Sequence, residues 1–97
     1  TSIEPGLYRS NQWGVRLENL AASVPHQKTA TLLENQQFLQ FEILTLCPFD
    51  RRLLDIRLLD DREKNWINVY HAWVKRTLSS QLSARAKAWL HQACSAL

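Results

Sequence analysis

The spacing of apolar residues changes along this chain, and that change limits the folds it can adopt. Residues 13–24 alternate between apolar and polar in the pattern of a strand. Residues 38–46 (FLQFEILTL) are rich in β-branched and aromatic residues and predict another strand, closed by Pro48. From residue 60 onward the apolar residues recur at helical spacing. Strands followed by helices predict an α+β fold.

A predicted antiparallel hairpin occupies the start of the chain. Residues 1–8 and 13–24 are its strands, and Pro25 ends the second one because proline cannot donate a ladder hydrogen bond. One face of the second strand carries Trp13, Val15 and Leu17. The other face carries Arg16, Glu18, Leu20, Ala22 and Val24.

Two helices are predicted after a turn-rich connection at residues 50–59. Asp60 and Glu63 have the spacing of a capping box, which predicts where the first helix begins. Residues 79–80 (SS) end this helix, and Ser83 caps the second one. The predicted core stripes are Trp66, Tyr70, Trp73 and Thr77 on the first helix and Ala86, Trp89, Leu90 and Ala93 on the second.

The chain is predicted to be a fragment, because it begins in what reads as the middle of a strand. Residues 1–49 are assigned to the strands of an incomplete domain and residues 50–97 to a helical extension. The polar residues 26–37 are predicted to form a connecting loop.

Charge and cysteine content exclude several kinds of partner. The chain has 12 Lys and Arg and 9 Asp and Glu residues, interspersed, for a net charge of +3. Nucleic-acid-binding proteins usually present a basic stripe, so no nucleic acid is expected. No apolar stretch approaches the roughly 20 residues that span a bilayer, so no membrane is expected. Cys47 and Cys94 are widely spaced, which favours free thiols and a cytoplasmic location over one disulfide.

The most informative residues are two glutamates, Glu4 and Glu18. A hairpin turn centred on Asn11 places residues whose numbers add to 22 opposite each other. Glu4 then faces Glu18, with Cβ atoms about 4.5–5.5 Å apart. The same register pairs small residues with large ones at Gly6–Arg16 and Tyr8–Gly14.

Opposed carboxylates repel each other unless they are solvated, share a proton or bind a cation. Hard divalent ions prefer anionic oxygen ligands, and Arg16 on the Glu18 face can orient such a ligand. If Glu4 and Glu18 form a hydrogen-bonded pair, the missing N–H of Pro5 points away from the partner strand. The alternative stays open: both glutamates are exposed charges, and Arg16 is their salt-bridge partner.

Several segments resemble the pita-bread metallopeptidases of family M24, which include aminopeptidase P and methionine aminopeptidase. Residues 4–8 (EPGLY) and 14–19 (GVRLEN) are similar to their last two metal-ligand motifs. The spacing between the glutamates is that of the aminopeptidase P branch. Residues 41–52 (FEILTLCPFDRR), 65–71 (NWINVYH) and 88–90 (AWL) resemble later segments of the same branch.

This resemblance implies strands of a pita-bread catalytic domain followed by two C-terminal helices. It implies two divalent ions, commonly manganese with zinc or cobalt as alternatives, held by two aspartates, one histidine and two glutamates. Glu4 would bind one ion and act as a base, and Glu18 would bridge both ions. Arg16 and Tyr8 would organise the site. The substrates would be peptides with proline at the second position.

The aspartate and histidine ligands are missing from this chain, so it is expected to be inactive alone and to bind no metal pair. We also expect it to form a homodimer, through apolar surface that longer relatives cover. Two alternatives remain: a non-catalytic pita-bread-type domain that binds proteins, and a prolidase-type dipeptidase. His91 and Cys94, spaced as half of a zinc site, are expected to serve helix packing, and His71 to lie on a helix flank.

Overall fold

The computed structural model describes residues 1–26 and 38–97, which form two compact units, Thr1–Thr45 and Leu46–Leu97. The predicted connecting loop lies, apart from His26, outside the described residues. The elements are β1 (Ser2–Ile3), β2 (Gly6–Arg9), β3 (Trp13–Arg16), β4 (Asn19–Pro25), β5 (Leu39–Ile43), α1 (Asp61–Leu78) and α2 (Ala84–Ala93). Strands followed by two helices confirm the α+β prediction.

The sheet of the first unit is built around β4, which pairs antiparallel with β1 on one side and β5 on the other. β2 and β3 form a separate two-stranded hairpin. β5 is shorter than the strand predicted at residues 38–46. Pairing nevertheless continues past its end, because Leu44 N–H donates to the Leu20 carbonyl at 2.7 Å and Leu20 N–H donates to Thr45 Oγ1 at 2.8 Å.

The two long strands predicted for the hairpin are each broken, so the prediction that they are continuous was wrong, although the predicted register holds on both sides of the break. The breaks lie at residues 4–5 and 17–18. Leu17 N–H donates to the Pro5 carbonyl at 3.1 Å, which marks Pro5 and Leu17 as a hydrogen-bonded pair. Proline has no N–H to return the second bond of such a pair, so the ladder is interrupted here. The nitrogen of Pro5 therefore faces the partner strand, contrary to the orientation considered from the sequence.

The two helices of the second unit begin at the predicted caps. The Asp60 carboxylate accepts the Glu63 N–H at 2.8 Å, and the Glu63 carboxylate accepts the Asp60 N–H at 2.9 Å. Ser83 Oγ accepts the Ala86 N–H at 3.4 Å and caps α2. α1 ends at Leu78, just before the serines that were predicted to end it, and a 3₁₀ turn at Ser79–Gln81 follows. Within the described part of the chain, neither helix combines the length and apolarity needed to cross a bilayer.

The buried faces of the helices differ from the predicted stripes. The buried side chains are Ile67, Tyr70, His71 and Val74 on α1, and Leu90 and Cys94 on and just after α2. Trp66 and Trp89 were predicted to lie in the core, but they are 50% and 60% exposed. Trp66 instead stacks on Tyr70, with ring centroids 5.6 Å apart, and on Phe49, with centroids 6.2 Å apart. The true stripe on α1 is rotated by about one residue from the one predicted.

Two side chains of α1 hold the segment that precedes it. The Tyr70 hydroxyl donates to the Cys47 carbonyl at 2.9 Å and accepts the Cys47 N–H at 3.4 Å. His71 Nε2 accepts the Phe49 N–H at 3.0 Å. The sequence analysis expected His71 on a helix flank, but the side chain is buried. These bonds place residues 47–49 in the second unit, although the domain boundary predicted after residue 49 stays a prediction.

Candidate functional site

A tight turn joins β2 and β3 in the predicted register. The pairs are Gly6–Arg16, Leu7–Val15, Tyr8–Gly14 and Arg9–Trp13. Asn11 in the turn has a φ of 56°, a left-handed conformation that asparagine adopts more readily than most residues. Gln12 N–H donates to the Arg9 carbonyl at 3.0 Å and closes the turn. The register predicted for a turn centred on Asn11 is therefore confirmed for this hairpin.

The same register continues across the break to the two glutamates. β1 pairs with β4 as Ser2–Leu20 and Ile3–Asn19. With Pro5 opposite Leu17, these pairs leave Glu4 opposite Glu18. Because Pro5 and Leu17 form the hydrogen-bonded pair, Glu4 and Glu18 form a non-hydrogen-bonded one, in which Cα atoms lie about 4.5 Å apart. The two carboxylates thus project from one face of the ribbon.

Arg16 lies on that face and connects Glu4 to Tyr8. Its Nη1 donates to Glu4 Oε2 at 2.8 Å, and its Nε donates to the Tyr8 hydroxyl. The hydrogen bond and charge interaction with Tyr8, followed by the negative charges of Glu4 and Glu18, raise the pKa of Arg16 above its ordinary value. Arg16 is a permanent cation whose two engaged nitrogens fix the orientation of the Glu4 carboxylate.

The Arg16–Glu4 ion pair contributes little to the stability of the fold. The two side chains are 50% and 45% exposed, and exposed ion pairs typically contribute about 0–1 kcal/mol. The main effect of this ion pair is to orient the Glu4 carboxylate. Arg16 occupies one acceptor site of Glu4 Oε2, and the carboxylate keeps further acceptor sites for a ligand or a proton.

The donor chemistry of the face fits a hard divalent cation, but it is incomplete. Carboxylate oxygens are the ligands that manganese and magnesium prefer, and the register places the carboxylates of Glu4 and Glu18 on this face. Residues 1–26 and 38–97 contain no group of three His, Cys, Asp or Glu side chains placed to hold a metal ion. Glu4 and Glu18 can therefore supply part of a metal site whose other ligands would come from outside the described residues.

His91 and Cys94, which have the spacing of half a zinc site, lie in the second unit. His91 Nε2 lies 3.1 Å from Ser79 Oγ, which itself donates to the Lys75 carbonyl at 2.5 Å. Cys94 is a buried free thiol, and burial raises its pKa. Sequence reasoning missed one buried polar side chain of the first unit, Asn19, which directly follows Glu18.

The sequence matches a protein-family model described as the C-terminal region of peptidase M24 over residues 37–97. The chain belongs to this family. The match includes β5, α1 and α2, and it begins after the hairpin that carries Glu4 and Glu18.

Individual relatives extend the similarity over the hairpin. The Xaa-Pro aminopeptidase app-1 of Caenorhabditis elegans is 37% identical over 97 residues, which cover 96% of this chain and 15% of that protein. A probable Xaa-Pro aminopeptidase P of Arthroderma benhamiae is 42% identical over 91 residues, 92% of this chain and 13% of that protein. The chain thus spans about 15% of the length of the curated relatives that it matches.

One solved structure has the same fold over nearly the whole chain. It is the X-prolyl aminopeptidase from Caenorhabditis elegans, described as a cytosolic enzyme with a di-nuclear active site. The likeness has a TM-score of 0.78 at 36% identity and covers 99% of this chain and 16% of that one. The family and fold class predicted from the sequence motifs are therefore confirmed.

Proposed function

We propose that this chain is the C-terminal part of a cytosolic Xaa-Pro aminopeptidase, a hydrolase that releases the first residue of peptides with proline in second position. The observation that carries the proposal is the register that sets Glu4 opposite Glu18, with Arg16 bonded to Glu4. The family match and the named relatives support it. Those relatives are Xaa-Pro aminopeptidases, which favours this activity over a prolidase-type dipeptidase.

Glu4 and Glu18 are the proposed ligands of two divalent ions, with manganese the expected metal and zinc or cobalt the alternatives. The ions supply Lewis-acid chemistry when bound. Glu18 is proposed to contribute oxygens to both ions. Glu4, whose Oε2 accepts a hydrogen bond from Arg16, would hold one ion and would serve as the base toward the attacking water. Arg16 keeps the Glu4 carboxylate oriented, and Tyr8 holds Arg16.

The other ligands are proposed to come from a preceding part of the enzyme. Two carboxylates are too few to hold a metal pair. We therefore expect the chain alone to bind no metal pair and to cleave no Xaa-Pro peptide. The complete enzyme is proposed to be a homodimer.

A chimera tests the proposal. The segment replaces the matching segment of the Caenorhabditis elegans enzyme, which is similar along 99% of the chain. Glu18→Gln removes one carboxylate with almost no change in shape. We expect it to abolish cleavage of an Xaa-Pro tripeptide and to lower the bound metal, measured by mass spectrometry of the purified protein. Glu42→Gln is the matched control: it removes an exposed carboxylate on β5 and should leave both measurements unchanged.

Circular dichroism and melting temperature establish that each chimera is folded. A folded Glu18→Gln chimera with unchanged turnover and metal content would contradict the assignment. Binding of metal by a folded chimera that cleaves no peptide would instead favour a non-catalytic role. Cleavage of Xaa-Pro dipeptides but not of longer peptides would favour the prolidase-type alternative.

A further inference from the structure

The Tyr8 ring lies flat along the hairpin, over both glycines of the chain. Gly14 is the cross-strand partner of Tyr8, and Gly6 precedes Tyr8 by two residues on the same face. A Cβ atom added to Gly14 would lie 2.5 Å from Tyr8 Cδ1 and 2.8 Å from Cε1. One added to Gly6 would lie 2.8 Å from both Cε2 and the hydroxyl oxygen. The ring therefore occupies the space that two side chains would otherwise fill.

Space, rather than backbone conformation, requires glycine at both positions. Neither Gly6 nor Gly14 has a positive φ, so an alanine backbone fits at either one. The three atoms nearest to each added Cβ all belong to Tyr8. An alanine at either position would thus collide with the tyrosine ring before it met any other group.

The position of the ring decides where its hydroxyl lies. In this orientation the phenol oxygen reaches Arg16 Nε, and the Arg16 guanidinium carbon is 5.6 Å from the ring centroid. Because the guanidinium is planar and rigid, fixing Nε at Tyr8 also sets the direction of Nη1, which donates to Glu4 Oε2 at 2.8 Å. The contacts therefore run from the two glycines to the Tyr8 ring, from the ring to the Arg16 guanidinium, and from the guanidinium to the Glu4 carboxylate.

We infer that Gly6 and Gly14 are positioning residues of the candidate metal site, holding Glu4 in place through Tyr8 and Arg16. The inference rests on the proposed function for its effect on metal binding, but not for its effect on the Arg16 side chain. The fold itself should tolerate the loss of either glycine. Tyr8 is 59% exposed, so its ring can swing into solvent when a methyl group takes its place.

The test is Gly14→Ala, measured in two ways. In the 97-residue chain, the ¹⁵N–¹H signal of Arg16 Nε–H should move to the position of an unbonded arginine side chain. In the chimera, kcat and metal affinity should fall about 10–100-fold, the usual effect of removing a group that orients a metal ligand. The melting temperature should be unchanged or higher, because alanine restricts the unfolded chain more than glycine does.

Two further variants separate the ring from the hairpin. In a Tyr8→Leu background, Gly14→Ala should cause no additional loss, since the ring that it displaces is gone. Val15→Ala, on the opposite face of β3, should lower the melting temperature without moving the Arg16 signal.

An unmoved Arg16 signal in Gly14→Ala would overturn the inference. So would a further loss of metal affinity when Gly14→Ala is added to Tyr8→Leu, because glycine would then act independently of the ring. A moved signal with undiminished metal affinity would uphold the positioning of Arg16 but count against Glu4 as a ligand, and hence against the proposed function.

Discussion

Burial of His71 sets the protonation state that its hydrogen bond requires. Nε2 accepts the Phe49 N–H, so this nitrogen carries no proton. Desolvation by burial, and then the positive charge of Arg51, lower the pKa of His71 below 6.5. The imidazole is therefore neutral near pH 7, as the bond to Phe49 demands.

Acid should consequently destabilise the chain through His71. A histidine with a lowered pKa in the folded state contributes fully above the unfolded pKa of about 6.5, and this contribution is lost as the pH falls toward the folded pKa. We expect the free energy of unfolding in urea to be lower at about pH 5.5 than at about pH 7.5, and His71→Gln to reduce the difference. His91→Gln is the control and leaves the Phe49 bond intact.

An NMR titration of the His71 ring provides a second measurement in case His71→Gln fails to fold. A His71 pKa at or above 6.5 in the folded chain would contradict the prediction. So would an equal pH dependence of stability in the wild type and in a folded His71→Gln variant.

At the level of elements, the start of α1 depends on a reciprocal pair of hydrogen bonds. Asp60→Ala removes the acceptor for the Glu63 N–H and should destabilise the chain by about 1 kcal/mol. Asp61→Ala is the matched control, since Asp61 adds charge to the first turn but does not cap it. Urea unfolding monitored by circular dichroism at 222 nm measures both variants. Equal losses would mean that charge, rather than capping, stabilises this end.

Sequence patterns predicted elements well where the signal was local. The capping box at Asp60, the cap at Ser83 and the hairpin register about Asn11 each depend on residues a few positions apart. The strand break at Pro5 could not be predicted, because it depends on which pairs of the ladder are hydrogen-bonded. That alternation has a phase that the register alone leaves undetermined.

The errors in the helix cores have a different physical origin. Large aromatic side chains were expected to be the most buried, yet Trp66 and Trp89 lie at the rim while His71 is buried. A backbone N–H bonds Nε2 of the buried His71 ring, and that partner, Phe49, lies 22 residues away along the chain. At the candidate site, the sequence was enough to predict that Glu4 lies opposite Glu18. The position of the Tyr8 ring over the glycines could not be predicted, because it depends on the side-chain conformation of Tyr8.

At the scale of the whole molecule, the chain exposes large apolar side chains on an unpaired strand edge. Among the described strands, β5 pairs on one side only, and Leu39 and Phe41 on it are 63% and 59% exposed. Exposed apolar edge strands tend to pair with a second copy. We expect the isolated chain to associate as its concentration rises, in sedimentation velocity measurements.

Phe41→Lys should shift this association toward monomer, because charge on an edge strand opposes strand pairing. Leu58→Lys is the control, since Leu58 is 81% exposed but lies outside any strand. A clean monomer at high concentration would contradict the predicted dimer. Equal effects of the two lysines would point to general apolar association rather than to strand pairing.

Pro5 has no N–H to donate to Leu17, so the ladder is weakened between the β2–β3 hairpin and the β1–β4 pair. We expect these two stretches to fray independently. On one side of Pro5, β2 and β3 are joined by the turn at Asn11, and on the other side β1 pairs with β4. The Leu17–Pro5 backbone hydrogen bond lies between the two stretches. We therefore expect thermal opening that starts at the hairpin tip to end at this point instead of spreading into the sheet. Glu4 and Glu18 lie at the interruption, between the Leu17–Pro5 bond and the Ile3–Asn19 pair, so we expect the backbone that carries them to keep its place when the hairpin tip opens.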